Sequence, residues 1–461
     1  MKLFFSLVFI TASFFLFSPK TFAFTDPPYI PVQKPTPTAT KTVCASGCDY
    51  VDLGAADNAA QPGWLIRIKS GTYSCISWDS SGTPGNEIVI EAYGDGDVIL
   101  LCGTRNSLEI TGSYLIFDGG LNRQLIVDGS TQSGGGEHLI YPYGPSTEYV
   151  TLSRLVARDN GKLKSRAIAD EDWSTVSVAG YGNYLKIYNS EVYGSYAAGI
   201  YGGMGDYQEV KNNIVHDNCG VGIQYNPHDT NADYKGKTIA SSDEITISGN
   251  LVYNNGHCWT DEIRPGITIL SNINTLYDIY VYNNIIWGNK AAGIETSNYN
   301  NIRARIYGNT IFNNTDFGLL IKTEDIIIKN NIIYGNGPSG SADFSISAYN
   351  NRINYSSIDF KNNLVGTLKN THSDLSQFAI GNIIATNPQF ISTNSVSSDY
   401  LKFSSTSPAI DSGTSIPLVT TDFFGTPRPQ GTGYDIGAYE YPAGGGGDTT
   451  PPSAPTGVMV I

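Results

Sequence analysis

Charged residues make up only 15% of the 461-residue chain, and methionine appears just 3 times. Few long runs are rich in Ala, Leu, Glu and Lys, so helices have little to build on. Basic residues are also scarce, with 28 Lys and Arg against 42 Asp and Glu and a formal net charge of −14. That acidity argues against nucleic acid as a partner, because phosphate binding needs a basic surface. An acidic polysaccharide would be repelled at long range too, unless a divalent cation or a local Lys/Arg cluster bridged it.

Long apolar runs are missing after the N-terminus, MKLFFSLVFITASFFLFSPKTFA. There Lys2 gives a positive start, residues 3–17 are apolar, and Thr21-Phe22-Ala23 offers small residues at the cleavage positions. This pattern predicts a secretory signal peptide over residues 1–23, and hence an exported, extracellular or cell-surface protein with no membrane span after its removal. A membrane anchor is the alternative, but Pro19 and Lys20 end the run near the lower limit for a span. Removal takes away Lys2 and Lys20 and no acid, so −14 becomes −16.

What the chain does have is glycine (50), tyrosine (30) and short β-branched or aromatic runs between Asn and Gly. These favour strands and turns. Residues 24–42, FTDPPYIPVQKPTPTATKT, read as an extended Pro/Thr linker, and 443–450, AGGGGDTT, as a flexible one. DTTPPSAPTGVMVI resembles the opening of a fibronectin type III module, yet only about a strand's worth of chain follows.

An internal repeat lies between the linkers. NNIVHDNCGVGI, GNLVYNNGHC, NNIIWGNKAAGI, GNTIFNNTDFGL and NNIIYGNGPSG align, with the second residue of each NN or GN pair at 213, 250, 284, 309 and 331. Two or three short strands and tight turns make one coil, and coils stack about 4.8 Å apart, as paired strands do. Inward Ile, Val and Leu then form one continuous core, which no coil could bury alone. Asn tolerates the left-handed turn conformation, and in register its side chains can stack as a ladder. The expectation is an all-β parallel β-helix over residues 43–442, with 367–442 as a C-terminal capping segment.

Six cysteines in an exported chain point to disulfides. Cys44 and Cys48 would close a small loop. Cys219 and Cys258 occupy the same turn on consecutive coils, within bridging range if the coils stack. Cys75 and Cys102 then pair by elimination.

Aligning the strand after each turn predicts an outward column of Ser177, Tyr201, Gln224, Thr268, Glu295, Leu320 and Ser347. A second outward column includes Asn226, Ser297, Lys322 and Tyr349. Tyrosines on a flat sheet suit sugar rings, although an ordinary solvated surface would read the same way. Three long insertions, 161–173, 227–244 and 257–265, are expected beside this face. They carry Arg166, Asp170, Glu171, Asp172, Trp173, His228, Asp229, His257, Trp259, Asp261, Glu262 and Arg264. His216 and Asp217 occupy variable turn positions and read as solvated.

The repeat, together with AADNAAQPGWLIRIKSGTYSCISWDSSGTPGNEIVIEAYGDGDVIL as first coils and SPAIDSG…DFFGTPRPQGTGYDIGAYEY near the end, resembles the right-handed parallel β-helix proteins of the pectate-lyase-like superfamily. The resemblance spans roughly residues 43–441. It implies carbohydrate chemistry on an extracellular polysaccharide, most often by a lyase with Ca²⁺ on carboxylates and a Lys or Arg base. Carried to this chain, it makes Asp170, Glu171, Asp172, Asp261 and Glu262 candidate ligands. Arg166, Arg264 and Lys322 become candidate bases, and Tyr201, Gln224, Asn226, Glu295, Trp173 and Trp259 candidate sugar contacts. His228 is a further acid/base candidate. YNPHDT is similar to the DPHE-type segment of mannuronan C5-epimerases, with Asn226 where that family has Asp. The familiar lyase pairs and a hydrolase-like set of three Asp are missing. A non-catalytic glycan-binding surface protein therefore stands as the alternative, with a C5-epimerase or glycoside hydrolase after it.

Overall fold

Strands of mostly three to six residues follow one another with the same order of turns, so each circuit of the chain lands on the one before. The computed structural model describes residues 26–103, 107–132, 138–143, 146–161, 176–202, 205–226, 244–258, 264–270, 277–296, 302–340, 342–346, 355–368 and 376–442. Among these, every pairing between the named strands is parallel, in three sheets of 12, 12 and 10 strands. One circuit runs from Lys186–Tyr188 in sheet 1 to Glu191–Tyr193 in sheet 2 and Ile200–Gly202 in sheet 3. The next begins at Glu209–Lys211, paired with the first. This is the expected parallel β-helix.

The core is a column of inward aliphatic side chains, such as Ile187, Val210 and Ile247 from sheet 1. A short helix, Leu53–Ala59, closes its N-terminal end with Leu53 and Ala56, and Asp52 caps that helix by accepting from the Ala55 amide at 2.8 Å. Phe344, Phe360 and Phe378 pack together at the other end. The three disulfides pair as expected, Cys44–Cys48, Cys75–Cys102 and Cys219–Cys258.

The two residues of each NN pair have separate tasks. The second points inward and builds the ladder: Asn213 Nδ2 donates to Asn250 Oδ1 at 3.0 Å, and the chain of contacts continues through Asn284, Asn309, Asn331, Asn363 and Asn382. A second ladder, between sheets 2 and 3, links Asn218, Asn255, Asn289, Asn314 and Asn336 and ends on Asp343. The first residue of the pair turns the chain at positive φ, as at Asn212, Asn283 and Asn330 and at Asn189 of the related Asn-Ser pair, and its side chain faces outward to the terminal segments.

Those outward asparagines hold the two ends of the chain. Residues 26–38, expected as a linker, lie against the solenoid, and Ala39–Val43 is the first strand of sheet 1. Ile30 exchanges hydrogen bonds with the Asn189 side chain at 2.9 Å, and Pro28 O accepts from Asn212 Nδ2. Lys34 sits 2.6 Å from both Glu91 and the fully buried Asp118, which Arg154 also contacts. Burial works against the Asp118 charge, but Arg154 and Lys34 hold its carboxyl below the usual range. From the other terminus, Thr421 O accepts from Asn283 Nδ2 at 2.6 Å and Thr414 O from Asn330 Nδ2 at 2.7 Å. Polar residues of the C-terminal motif are structural. Buried Arg428 pairs with buried Glu440 at 2.9 Å and donates to the carbonyls of Asp435 and Gly437. Asp422 accepts from the amides of Phe424, Thr426 and Glu440.

Candidate functional site: the outer face of sheet 3

Sheet 3 strands alternate inward and outward residues, so one register column faces out along the axis. The pairing places Ala179, Tyr201, Gln224, Thr268, Glu295, Leu320 and Ser345 in that column. Two expected members are displaced by two residues. Ser177 precedes its strand and is fully buried, and Ser345 stands where Ser347 was expected. Residues 162–175, outside the described residues, lie between Asn160 and the strand Val178–Gly180, and in Phe344–Ile346 the first inward residue is Phe344 rather than Ile346. The third position points in. Tyr225 fills the core there, and a Cβ on Gly202 would come within 2.4 Å of its ring.

The outward column is unusually polar for side chains so little exposed. Gln224 is 5% exposed, Thr268 6% and Ser345 0%, and the Thr268 and Ser345 hydroxyls are buried with no protein partner. Nearby, Tyr201, Gln224 and Arg264 line one small hollow with Ala197, Ala198 and Val221. Two coils from Gln224, Glu295 Oε1 and Lys322 Nζ pair at 2.5 Å, with both side chains about a quarter exposed (22% and 23%). Lys322 is anchored by its amide, which donates to buried Thr296 Oγ1 at 2.9 Å. Asn226, expected outward, is 6% exposed, and its amide donates to Gly202 O at 2.9 Å.

Toward the N-terminal end the same face becomes aromatic. Tyr141 stacks on Tyr143 at 4.5 Å and meets Tyr181 edge-on at 5.4 Å, while Tyr181 lies 6.0 Å from Tyr201. His138 packs on Tyr141 at 4.6 Å. The candidate residues chosen from sequence omitted this cluster, although YPY at 141–143 and GYG at 180–182 are visible as local tyrosine clusters.

The three insertions leave from this sheet's edges. Residues 162–175 and 259–263 precede the strands Val178–Gly180 and Ile267–Ile269, and 227–243 follow Ile223–Tyr225. Arg166, Asp170, Glu171, Asp172, Trp173, His228, Asp229, Trp259, Asp261 and Glu262, with Ser297 and Tyr349, lie outside the described residues. Of the sequence candidates, the described ones brought onto one face are Tyr201, Gln224, Arg264, Glu295 and Lys322. Among the described residues no three His, Cys, Asp or Glu side chains are grouped to hold a metal ion. His257 is turned aside and contacts Gly288 O at 3.0 Å through Nε2.

His216 is not a solvated turn residue. It belongs to sheet 2, stacked between Tyr193 at 5.0 Å and Tyr253 at 4.8 Å, with Trp287 next in line. Its ring nitrogens contact Asp217 at 2.7 Å and Glu191 at 3.2 Å. Burial disfavours the imidazolium, but the two carboxylates outweigh it and raise the imidazole above its ordinary value.

A family model described as "Right handed beta helix region" matches residues 154–305. The solved structure of pectate lyase Pel9A is similar over 88% of this chain and 97% of that chain, at 16% identity and a TM-score of 0.57. A rhamnogalacturonan lyase is similar over 80% of this chain and 97% of that one, at 13% identity and a TM-score of 0.51. No curated protein sequence matches the chain. Identities this low carry the architecture and not the reaction. With its three parallel sheets, the chain is a right-handed parallel β-helix of the pectate-lyase-like fold.

Proposed function

We propose that the protein is a secreted carbohydrate-active β-helix that binds an extracellular acidic polysaccharide along the outer face of sheet 3, and that it cleaves this chain by lyase-type elimination. The observation that carries the reading is that Tyr201, Gln224 and Arg264 line one hollow on this face, two coils from the partly exposed Glu295–Lys322 pair. The tyrosine cluster offers apolar faces and edges to sugar rings. The two solved lyases of the same fold raise the prior for this class as analogy alone. Three disulfides suit an oxidising compartment. No helix among the described residues is long and apolar enough to cross a membrane.

Arg264 suits a uronate carboxylate, which a guanidinium binds in a two-pronged fashion, but it does not readily give up its proton to act as a base. Lys322 is held against Glu295 as a charge pair, which suits a binding role. His228, outside the described residues, therefore stands as the base candidate, and Arg166, also outside them, is set aside for the same reason as Arg264. The carboxylates Asp170, Glu171, Asp172, Asp261 and Glu262 have the hard-oxygen chemistry of a Ca²⁺ site. Calcium bound there would neutralise the uronate and acidify the proton beside its carboxylate. An epimerase or a hydrolase would use the same face with a different fate for the sugar.

The test is incubation with polygalacturonate, alginate, rhamnogalacturonan and glycosaminoglycans, following the ultraviolet absorbance of the unsaturated product with and without EDTA. Absorbance that rises and is lost with EDTA supports the lyase. No unsaturated product and no chain shortening, with retention on an immobilised glycan, would leave the non-catalytic binding protein as the correct reading. No retention on any of them would remove the polysaccharide face altogether.

A further inference from the structure

Four tyrosines form a third ladder, away from the asparagines, in the turn that leads from sheet 3 into sheet 1. Tyr114, Tyr149, Tyr184 and Tyr207 each immediately precede the start of a sheet 1 segment, on four consecutive coils. Their rings lie parallel, with centroids 4.7, 4.3 and 4.9 Å apart and interplanar angles of 11°, 6° and 4°. All four sit at φ between 55° and 57°, a left-handed conformation that a bulky side chain disfavours. Later coils meet the same turn with Glu244 and Asp325, also at positive φ. The turn therefore demands the backbone and does not demand tyrosine. Tyr149 and Tyr207 are 38% and 40% exposed, so the ladder is open to solvent along its length.

We propose that Tyr114, Tyr149, Tyr184 and Tyr207 are an oxidative cross-linking site, at which a peroxidase with hydrogen peroxide, or another one-electron oxidant, joins neighbouring coils through a dityrosine bond. Ring centroids at these distances are close to the separation of two directly bonded phenol rings. A quarter turn about Cβ–Cγ converts a cofacial contact into an edge contact and leaves the coils in place. Each of two phenols gives one electron to the oxidant and its hydroxyl proton to solvent. The two phenoxyl radicals form a carbon–carbon bond between positions ortho to oxygen. The ring hydrogens then shift to the oxygens, restoring both phenols, and the peroxide takes up the two electrons and two protons as water. Tyr149 and Tyr184 are the preferred pair, having the shortest separation. The bond would tie adjacent coils covalently and stands independently of any reading of sheet 3.

The experiment treats the full chain with peroxidase and hydrogen peroxide at low protein concentration. The expected result is a monomer lighter by two hydrogens per bond, dityrosine fluorescence, and a cross-linked peptide pair joining two ladder tyrosines. Tyr29 and Tyr93, 45% and 43% exposed and outside the ladder, serve as internal controls. Tyr149→Phe and Tyr184→Phe keep the ring stack and remove the phenol, and each is expected to abolish the 149–184 peptide pair without lowering the melting temperature. Coupling only between molecules, or coupling at Tyr29 and Tyr93 as readily as in the ladder, would overturn the proposal. If a variant fails to fold, the peptide map of the unaltered chain decides alone.

Discussion

Replacing Asp343 by asparagine should stabilise the protein at neutral pH and leave it nearly unchanged in mild acid. Asp343 ends the second asparagine ladder. Its Oδ1 accepts from both the amide and the Nδ2 of Asn336 at 2.8 Å, and its Oδ2 accepts from Thr367 Oγ1 at 3.0 Å. The side chain is fully buried, and burial raises the carboxyl from 3.8 to about 6, against those hydrogen bonds. A raised value means that the folded state prefers the protonated acid. The stability it contributes is complete below the unfolded value and is lost as pH climbs through about 6. A shift of about two units corresponds to about 3 kcal/mol. Asparagine keeps the two accepting bonds through Oδ1. Its Nδ2 can donate to Thr367 Oγ1, whose own proton is free to go to Gly340 O at 3.1 Å. Thermal or denaturant unfolding of the two proteins at about pH 4 and about pH 8 should therefore show a gap that opens with pH by up to about 3 kcal/mol. A difference that is the same at both pH values, or a variant that loses stability at the higher one, would refute the assignment of a costly buried charge to this position.

Two further substitutions test what holds the solenoid. Asn250→Ala removes two donated bonds, to Val210 O and Asn284 Oδ1, and two accepted from Asn213. It should cost about 4 kcal/mol because the orphaned groups stay buried, read as a lower unfolding midpoint. Arg428→Met leaves Glu440 buried without its cation and should cost about 3–5 kcal/mol, read by thermal unfolding.

The fold was legible because its period is written in the turns. A pair at 213, 250, 284, 309 and 331 fixes where each coil bends, and alternation from there orients Gln224, Thr268 and Glu295 correctly. Orientation failed at Ser177, where that landmark is missing, and at Ser347, where the turn from Asn336 to the strand at Phe344 is longer than the one from Asn314 to the strand at Leu319. Among the disulfides, Cys219–Cys258 was legible because stacking makes turn positions on adjacent coils neighbours, Cys44–Cys48 because its short spacing closes a local loop, and Cys75–Cys102 only by elimination. The clamp by Asn189 and Asn212 was not, because the repeat shows that two asparagines recur but not that one faces out. Residues 26–38 looked like a linker since Pro and Thr say nothing of a surface to lie on, and only that surface gives them structure. His216 looked solvated because its ring partners stand 23 and 37 residues away in sequence, at Tyr193 and Tyr253. The tyrosine ladder did carry a signal, in SYLIF, EYVTL, NYLKI and DYQEV, but its unequal steps hid it.

The fastening of the N-terminal segment changes how this rod should come apart. A stack of repeats that touch only their neighbours frays from its ends, one coil at a time. Here residues 28 and 30, a few positions before the first strand, are bound to Asn212 and Asn189, so the opening coil is laced to coils far along the axis. Peeling the first coil away means unlacing the middle as well. The lace spans 159 and 184 residues of sequence and can be tied only after those coils exist, so it should be the last part to form and the part that turns a zipper into a single cooperative unit.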